Sequence, residues 1–549
     1  MSALTNQFTI DTPSIVKRIA KLLNQKGGKT FLVGGIVRDA VINQIHCTTF
    51  PLSDYDLEVF GLELSEIEKI LKDNLPYFIS QEGKAFQVLK VHHQHGYKPI
   101  DITVPRTETS TGPAHTDFVV TANPQLQIKE AAIRRDLTIN ALYYDIQKSQ
   151  IIDPFGGLDD ISNQVINIVN RKTFKEDPLR VLRVMQFAAR FGFTVSPATI
   201  EISKEIVQSN MLLALPIERV QQAFMDLFFN ATKPSLGFQF LKDSDALFLY
   251  LPELDKLAHT HQTPSWHPEG NVFIHTMQAI NAAQDISERE GLSKYEKALL
   301  IVGALCHDLG KGVSTKFIAS ENIHIAHGHS KTGVALAKDI LKRINAPEHI
   351  QKRIPILIEK HLLLPVLYSN HTKGINQTRA LYRLIQELQK HQLSLDMLLW
   401  VTESDTRARN DNVEIYEPLD RNDVPLINEI YDWVAVTRIE IESTGSSHQE
   451  VVDGSDLIRI VHKPQGIWIH AMKHLLEDIV FDPEFRNLIP RPYILDEENN
   501  VTEKLIHTLF SFTENYMERN NTSWQFISQN EEMREKLLGQ FMIYYKQQV

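Results

Sequence analysis

The sequence predicts an α+β fold, with a mixed α/β head at the N-terminus and helices through the rest of the chain. Residues 28–150 alternate short apolar strands with helical stretches, which is typical of a sheet packed against helices. From Asp177 onward, apolar residues recur at helical spacing instead. The 549 residues are enough for several domains, so we expect more than one.

We expect four strands in the head. A long helix is expected after the head, at the start of the helical region. That helix is predicted over Asp177–Phe191, because its apolar residues form one stripe at helical spacing. The predicted strands are Thr30–Val33, Asp56–Phe60, Gln87–Val91 and Pro99–Val104.

Two breaks divide the helical region. The Pro- and His-rich stretch His259–Pro268 predicts a loop, and a helical block follows over about residues 271–410. Pro418 and Pro425 lie in the second break. The polar end of the chain, Asn520–Val549, is predicted to be a peripheral helix.

Composition restricts the class of protein. The net charge of −11 argues against a nonspecific coat for nucleic acids but permits a local basic groove. Arginines cluster between residues 134 and 190, which predicts either such a groove or a solvated helix surface. Cys47 and Cys306 are the only cysteines, which excludes a disulfide framework and a cysteine-based zinc site. Because Met1 begins no apolar signal region and no window reaches transmembrane length, we expect a cytoplasmic protein without membrane contact.

Asp54 and Asp56 stand one residue apart, downstream of Gly34, Gly35 and Arg38. In an extended strand the side chains of residues i and i+2 point to the same face, so the two carboxylates converge. Such a pair suits Mg²⁺, which proteins hold through few carboxylates together with a substrate's phosphates. The glycines let a backbone turn approach an anionic group, and Arg38 adds positive charge there. These residues predict a site that binds a nucleoside triphosphate and a metal and carries out phosphoryl-type transfer. The alternative is that Asp54 and Asp56 lie in an ordinary polar turn.

Asp101 is a candidate for a third carboxylate of the same site. It lies in the predicted strand Pro99–Val104. The alternative is a solvated aspartate at the edge of a strand, and the sequence favours neither interpretation.

A second group of polar residues follows the strands of the head. Arg135 has the geometry to pair with a phosphate, while Asp136 and Asn140 offer polar groups at i, i+4 spacing for a ribose or a metal-bound water. Asp177 and Arg180 are expected on one helix face at i, i+3. Cytosine and adenine each present an amino donor beside a ring-nitrogen acceptor, so a carboxylate and a guanidinium can read both bases. Uracil and guanine carry a carbonyl there, so the pair predicts selection of C and A without a template.

With these motifs the chain resembles the class II tRNA nucleotidyltransferases, or CCA-adding enzymes, and the related bacterial poly(A) polymerases. The resemblance is strong over about residues 30–250 and implies a polymerase-β-like palm, followed by all-α neck and body regions that hold the acceptor stem and 3′ end of tRNA. It rests on five motifs in order: Gly34-Gly35-x-x-Arg38-Asp39, Asp54-x-Asp56, Arg134-Arg135-Asp136-Leu-Thr-Ile-Asn140-Ala-Leu, Asp153-Pro-Phe-Gly-Gly-Leu and Glu176-Asp177-Pro-Leu-Arg180-Val-Leu-Arg183.

The resemblance also implies roles for single residues. Asp54 and Asp56 would hold Mg²⁺ as the catalytic residues, and Asp177 would read the base with Arg180. The remaining nucleotide contacts would come from Gly35, Arg38, Arg135, Asp136, Asn140 and Arg183. In two places the chain departs from the family: the loop before Asp54 is longer than usual, and Gln186 stands where an arginine is expected.

A histidine-rich constellation lies in the helical block. Imidazoles and carboxylates gathered from several helices are a recurring design for divalent metals. Their order resembles the HD phosphohydrolase superfamily, and their combination with the head resembles the HD-bearing CCA-adding enzymes. The resemblance implies a divalent metal of unknown identity. Its ligands would be His275, His307, Asp308 and Asp405, with His329 and His361 as further candidates and His324 and His327 nearby.

In such proteins the HD domain is associated with phosphatase, 2′-nucleotidase and 2′,3′-cyclic phosphodiesterase activities. Leu362 stands where the family often has an acidic or amide residue. The alternative is therefore a vestigial domain, or one whose metal only stabilises the fold.

We expect four parts: a nucleotidyltransferase head (1–152), a helical neck and body (153–258), an all-α HD domain (259–415) and a helical C-terminal region (416–549). The expected activity is template-independent addition of CCA to tRNA from CTP and ATP, with release of pyrophosphate. A poly(A) polymerase or a partial CC- or A-adding enzyme would share the whole head and is the alternative. A head that only binds RNA would not need the carboxylate pair. No obligate protein partner is expected.

Overall fold

A computed structural model describes residues 8–52, 54–82, 88–92, 98–110, 118–413, 416–443, 454–481 and 502–547. The chain divides into two compact units. The first comprises Met1–Ile358 and Arg407–Leu419, and the second comprises Glu359–Thr406 and Asp420–Val549. Among the described residues, no helix combines the length and the apolar character needed to cross a membrane.

A mixed sheet forms the centre of the head, in the first unit. The strands of the head are β1 (Lys29–Val33), β2 (Asp56–Phe60), β3 (Phe78–Glu82), β4 (Val88–His92), β5 (Ile100–Thr103), β6 (Arg106–Ser110), β7 (Phe118–Ala122), β8 (Tyr143–Asp145) and β9 (Gln150–Ile152). Seven of them form the sheet in the order β3-β4-β5-β2-β1-β8-β9, in which β2 and β5 are parallel and the other neighbours are antiparallel. The remaining two, β6 and β7, form a separate hairpin.

The predicted α+β class is confirmed, and β1, β2, β4 and β5 lie where the sequence predicts strands. Gln87, where the third predicted strand begins, lies outside the described residues. The register of the sheet places the candidate carboxylates. Val33 pairs with Asp56 across β1 and β2, and Asp56 pairs with Asp101 across β2 and β5.

Helices cover the sheet and continue into the neck and body. In the head they are Ser14–Gln25, Gly35–His46, Leu64–Asn74 and Ile128–Ala132, with a 3₁₀ turn at Thr138–Asn140. The neck and body contain Gly157–Ser162, Arg171–Lys175, Leu179–Phe191, Pro197–Gln208, Ile217–Asn230, Pro234–Asp243, Ala246–Tyr250 and Pro252–Lys256, with 3₁₀ turns at Met211–Ala214 and Leu257–His259 and the short parallel pair β10 (Val165–Ile166) and β11 (Thr194–Val195).

The helical block after the predicted loop contains one irregularity. Its helices are Val272–Arg289, Lys294–Cys306, Lys311–Ser314, His329–Arg343 and Glu348–Lys360. A hairpin of β12 (Lys316–Ile318) and β13 (Ile323–Ile325) lies in the chain between the helices Lys311–Ser314 and His329–Arg343. The expectation of an all-α HD domain is therefore wrong in this detail, because strands of three residues are too short to show a period of two.

The second unit is helical in its described residues. Its helices are Leu363–Thr372, Thr378–Lys390, Leu395–Arg407, Pro425–Ser443, Gly454–Val461, Trp468–Phe481, Glu503–Asn520, Trp524–Gln529 and Glu531–Lys546, with a 3₁₀ turn at Arg421–Asp423. The chain end contains a helix as predicted, Glu531–Lys546. Its residues Leu537, Phe541 and Tyr545 are fully buried, whereas Ile543 is 64% exposed, so one face of the helix packs into the core of its unit.

Candidate functional site

A glycine turn and a carboxylate meet at the end of β1. Gly34 has φ of +79°, a conformation that residues with a side chain rarely adopt. A Cβ atom at Gly34 would lie 3.0 Å from Oδ2 of Asp56. The helix Gly35–His46 begins directly after this turn, so its unpaired N–H groups and positive dipole end lie beside the carboxylate. The Gly34 turn and the carboxylate of Asp56 therefore lie side by side.

Three carboxylates gather at this end of the sheet. Burial and the neighbouring carboxylates of Asp101 and Asp54 raise the pKa of Asp56 to about 6. Asp54 is 59% exposed and forms an ion pair of 2.7 Å with Lys98. Asp101 lies on β5, which is internal to the sheet, so it is not at an edge strand. A divalent cation would relieve the repulsion between these carboxylates, and the oxygen donors fit Mg²⁺.

Arg38 donates hydrogen bonds to Asp39 and to Asn140. Its Nε donates to Oδ1 of Asp39 and its Nη1 to Oδ1 of Asn140, both at 2.7 Å. The other oxygen of Asp39 accepts from Nη2 of Arg190 at 2.8 Å. Burial lowers the pKa of Arg38 to about 10, although Asp39 opposes the shift. Two arginines share one buried carboxylate here, which leaves positive charge for an anionic ligand.

Asp136 and Asn140 continue this network to Arg183. Asn140 Nδ2 donates to Oδ1 of Asp136 at 3.0 Å, and Arg183 Nε donates to Oδ2 of Asp136 at 2.6 Å. Both polar side chains are buried. Their partners are protein groups, so the arrangement suits the positioning of Arg38 and Arg183.

The unusually long loop before Asp54 is fixed to the helix that precedes it. Asn43 Nδ2 donates to the carbonyl of Phe50 at 2.8 Å, and the Phe50 N–H donates to Oδ1 of Asn43 at 2.7 Å. The Phe50 ring packs edge-on against Phe191, with centroids 5.3 Å apart. The Arg190 guanidinium carbon lies 5.4 Å from the centre of the Phe50 ring. This loop therefore contacts the neck helix at the arginine that binds Asp39.

Arg135 and Arg134 share a buried acid that the sequence analysis missed. Glu58 is fully buried, and its oxygens lie 3.1 Å from Arg134 Nη2 and 3.6 Å from Arg135 Nη2. Although burial opposes it, Arg135 and Arg134 lower the pKa of Glu58. Glu58 stands two residues after Asp56 on β2, and that spacing is the signal that places both on one face.

A cavity of about 560 Å³ lies between the head and the neck helices. Asp136, Asp177, Arg180 and Arg183 line it. The sequence expectation that Asp177 lies on the helix face is wrong, because the helix begins at Leu179. Asp177 Oδ1 instead accepts from the N–H of Leu179 at 3.0 Å.

Arg180 reaches the cavity from the first turn of the same helix. Its Nη1 and Nη2 donate at 2.7 Å to the carbonyls of Thr173 and Arg134. These two bonds fix the plane of the guanidinium. Gln186 points elsewhere, since its Nε2 donates to Oδ2 of Asp226 at 3.2 Å.

A second candidate centre surrounds Asp308, also in the first unit. Its Oδ2 lies 3.3 Å from Nε2 of His307 and 3.7 Å from Nε2 of His275, and its Oδ1 lies 3.3 Å from Nε2 of His329. Although burial opposes it, Lys311 at 2.6 Å and His307 hold the pKa of Asp308 well below its usual range. His329, one of the further ligand candidates from the sequence, lies beside Asp308.

The imidazoles of His275 and His307 face each other. His275 Nδ1 contacts Glu269 Oε1 and His307 Nδ1 contacts the carbonyl of Ala304, at 2.8 and 2.7 Å. Since these oxygens only accept, each Nδ1 carries a proton, and in the neutral imidazole each Nε2 presents a lone pair. The two Nε2 atoms lie 3.3 Å apart. Two neutral imidazoles placed in this way are bridged by a proton or by a metal ion, and with the carboxylate of Asp308 beside them the donor set fits a divalent metal.

His329 reaches Asp308 because of a glycine. A Cβ atom on Gly310 would lie 1.9 Å from the carbonyl oxygen of His329, so a side chain there would prevent the approach.

His361 and Asp405 belong to the second unit. Thr402, on the same helix as Asp405, donates from Oγ1 to the carbonyl of His361 at 3.3 Å. Both side chains are buried. Their role as metal ligands stays a prediction.

Glu269 and Lys311 are contacts of the centre around Asp308 that the sequence analysis missed.

Two family models match the chain. The Poly A polymerase head domain matches residues 30–167, and the HD domain matches residues 272–398. The multifunctional CCA protein of Hahella chejuensis is 33% identical over 390 residues, which span 69% of this chain and 82% of that protein. The multifunctional CCA protein of Tolumonas auensis is 33% identical over 337 residues, which span 61% and 74%.

The fold is shared with solved structures as well. The complex structure of a CCA-adding enzyme with ATP aligns with a TM-score of 0.54 at 17% identity, over 92% of this chain and 95% of that chain. At this identity the likeness shows the fold alone.

Proposed function

The chain belongs to the family of multifunctional CCA proteins, and from this premise we propose that it adds CCA to the 3′ end of tRNA from CTP and ATP. One observation supports the proposal most directly. The carboxylates of Asp54, Asp56 and Asp101 gather beside the Gly34 turn. This arrangement joins a metal-type donor set to an anion-binding helix start in one place.

The carboxylates of Asp54 and Asp56 would hold Mg²⁺, with Asp101 as a third oxygen donor. When bound, Mg²⁺ would lower the pKa of the attacking hydroxyl and offset the charge of the triphosphate. The backbone at Gly35 and the guanidinium groups of Arg38, Arg135 and Arg183 bind and orient the triphosphate. The 3′-hydroxyl oxygen of the tRNA attacks the α-phosphorus, the bond to pyrophosphate breaks, and pyrophosphate leaves.

Asp177 and Arg180 would select the base. The carboxylate accepts from the exocyclic amino group of cytosine or adenine, and the guanidinium donates to the adjacent ring nitrogen. Two features support this role: both residues line one cavity, and two carbonyls fix the plane of Arg180. The volume of the cavity is in the range that small-molecule ligands occupy.

A panel of tRNA ends tests the proposed product. Transcripts ending before the first C, before the second C or before the final A are each incubated with CTP, ATP or both. We expect ordered addition that stops after the terminal A. A long A tail would identify a poly(A) polymerase, and arrest after CC or addition of A alone would identify a partial enzyme.

We propose that the HD centre hydrolyses phosphate esters such as a 2′,3′-cyclic phosphate, with a divalent metal held by His275, His307 and Asp308. The metal supplies water activation and charge neutralisation when bound. The facing Nε2 atoms of His275 and His307 support this assignment. Hydrolysis of cyclic phosphate ends should disappear in His307→Ala and Asp308→Ala, while CCA addition continues. Hydrolysis by the variants equal to that of the unaltered chain would overturn the proposal.

We also propose that the chain works as four parts, with boundaries near residues 152, 258 and 415, and that it acts in the cytoplasm. The free thiols of Cys47 and Cys306 suit a reducing compartment.

A further inference from the structure

Glu269 is a buried acid beside the HD centre. Its side chain is completely buried, and its Oε1 accepts from Nδ1 of His267 and Nδ1 of His275, both at 2.8 Å. No hydrogen-bond donor within the described residues reaches its other oxygen, Oε2. A buried carboxylate with one unsatisfied oxygen costs stability. Its presence therefore needs an explanation beyond packing.

His275 is the imidazole that Glu269 orients. Nδ1 of His275 contacts Oε1 of Glu269 at 2.8 Å and the carbonyl of Ala408 at 3.2 Å, so Nε2 of His275 is directed at the centre. There it lies 3.3 Å from Nε2 of His307 and 3.7 Å from Oδ2 of Asp308. Nδ1 of His307 and Nδ1 of His329 contact the backbone carbonyls of Ala304 and Ala326, whereas His275 has a carboxylate as its shorter contact.

We propose that Glu269 is a positioning residue of the HD centre, whose carboxylate, as the shorter of the two contacts at Nδ1 of His275, orients that imidazole and strengthens its Nε2 as a metal ligand. A carboxylate behind an imidazole has this effect on metal ligands generally. His267 holds the same oxygen from the other side and so fixes the carboxylate. The inference rests on the proposed function, since it requires that the centre bind a divalent metal.

Cobalt binding tests this role without relying on HD activity. The full chain is titrated with Co²⁺, and visible absorption reports metal bound through imidazole. We expect the affinity of Glu269→Ala to fall about 10- to 100-fold. Glu269→Gln should lose less, because its carbonyl oxygen still accepts from Nδ1 while the charge is gone. CCA addition by the same samples shows that each variant is folded.

The outcomes separate the inference from the proposed function. If the unaltered chain gives no imidazole-type Co²⁺ absorption, the metal centre itself is refuted and the inference falls with it. If the unaltered chain and folded Glu269→Ala bind Co²⁺ equally, the centre stands and the inference is overturned. Should Glu269→Ala fail to fold, Glu269→Gln decides, because affinity equal to that of the unaltered chain would overturn the role of the charge.

His267→Phe provides the matched control. Since His267 only supports the carboxylate, we expect a much smaller loss of affinity than in Glu269→Ala. Loss of one whole Co²⁺ per chain in His267→Phe would show that His267 and Glu269 are themselves ligands, which would also overturn the inference.

Discussion

Arg183 donates from Nε to Oδ2 of Asp136 at 2.6 Å, and this bond joins the first long neck helix to the head. Although burial opposes it, Arg183 and Asn140 hold the pKa of Asp136 well below its usual range. The bond lies at the wall of the cavity that also contains Asp177 and Arg180. The position of a bound triphosphate relative to Asp177 and Arg180 therefore depends on the bond between Arg183 and Asp136.

Asp136→Asn should weaken both folding and nucleotide addition. Losing a charged hydrogen bond costs about 2 kcal/mol, so we expect a lower apparent free energy of unfolding in urea at pH 7. A carboxyl whose pKa is depressed on folding stabilises above its unfolded pKa and loses that effect as pH falls towards its folded value. The deficit should therefore shrink at about pH 3. Asp159→Asn, on an exposed carboxylate, is the control, and an equal deficit at both pH values would contradict the assignment.

Asp177→Asn should change base selection while keeping the bond to the Leu179 N–H, because the amide oxygen still accepts. The amide nitrogen would donate to the carbonyl of uracil, where the carboxylate has no donor. We expect the ratio of kcat/KM for UTP over CTP to rise about tenfold or more. Glu176→Gln, in the same cavity wall, should leave the ratio unchanged. An unchanged ratio in Asp177→Asn would exclude this residue as the base reader.

Phe50→Ala tests whether the long loop supports the nucleotide site. Removing the half-buried ring should cost about 1–2 kcal/mol of stability and free Arg190 from one side. We therefore expect KM for CTP and ATP to rise severalfold in steady-state assays. Phe78→Ala, at a ring that is 69% exposed, is the matched control. If Phe50→Ala lowers stability but leaves KM unchanged, the loop stabilises the fold without supporting the nucleotide site.

The parts of the site that the sequence predicts are local in the chain. The turn at Gly34 and the carboxylates of Asp54 and Asp56 follow from spacing over a few residues, and the strands around them have clear apolar patterns. Asp177 shows the limit of such patterns. The i, i+3 spacing to Arg180 is correct, but Pro178 precedes the helix and leaves Asp177 outside it.

Two contacts that sequence analysis missed join distant residues. Asp39 binds Arg190 across 151 positions, and Glu58 binds Arg134 across 76. These contacts arise from the packing of separate elements, and no period within one segment encodes them. Glu269 differs, because His275 is only six residues away, but it lies in a loop whose composition predicts only irregular structure.

The two cysteines should differ sharply in reactivity. Cys47 is exposed, whereas Cys306 is buried, and burial raises the pKa of the Cys306 thiol to about 12. A thiol reagent acts on the thiolate, so the native protein should react at one site and the denatured protein at both. Cys47→Ser should abolish the native signal. Fast reaction at both thiols before denaturation would contradict the described packing of the first unit.

The most direct test of the account compares Asp54→Ala with Lys98→Ala in CCA addition to a tRNA that lacks its 3′ end. The two substitutions remove the same exposed ion pair of 2.7 Å, but only the first removes a proposed metal ligand. Exposed pairs contribute about 0–1 kcal/mol, so both variants should unfold like the unaltered chain. We expect no nucleotide incorporation by Asp54→Ala and nearly full activity for Lys98→Ala. Substantial CCA addition by Asp54→Ala would contradict the role of Asp54 as a metal ligand.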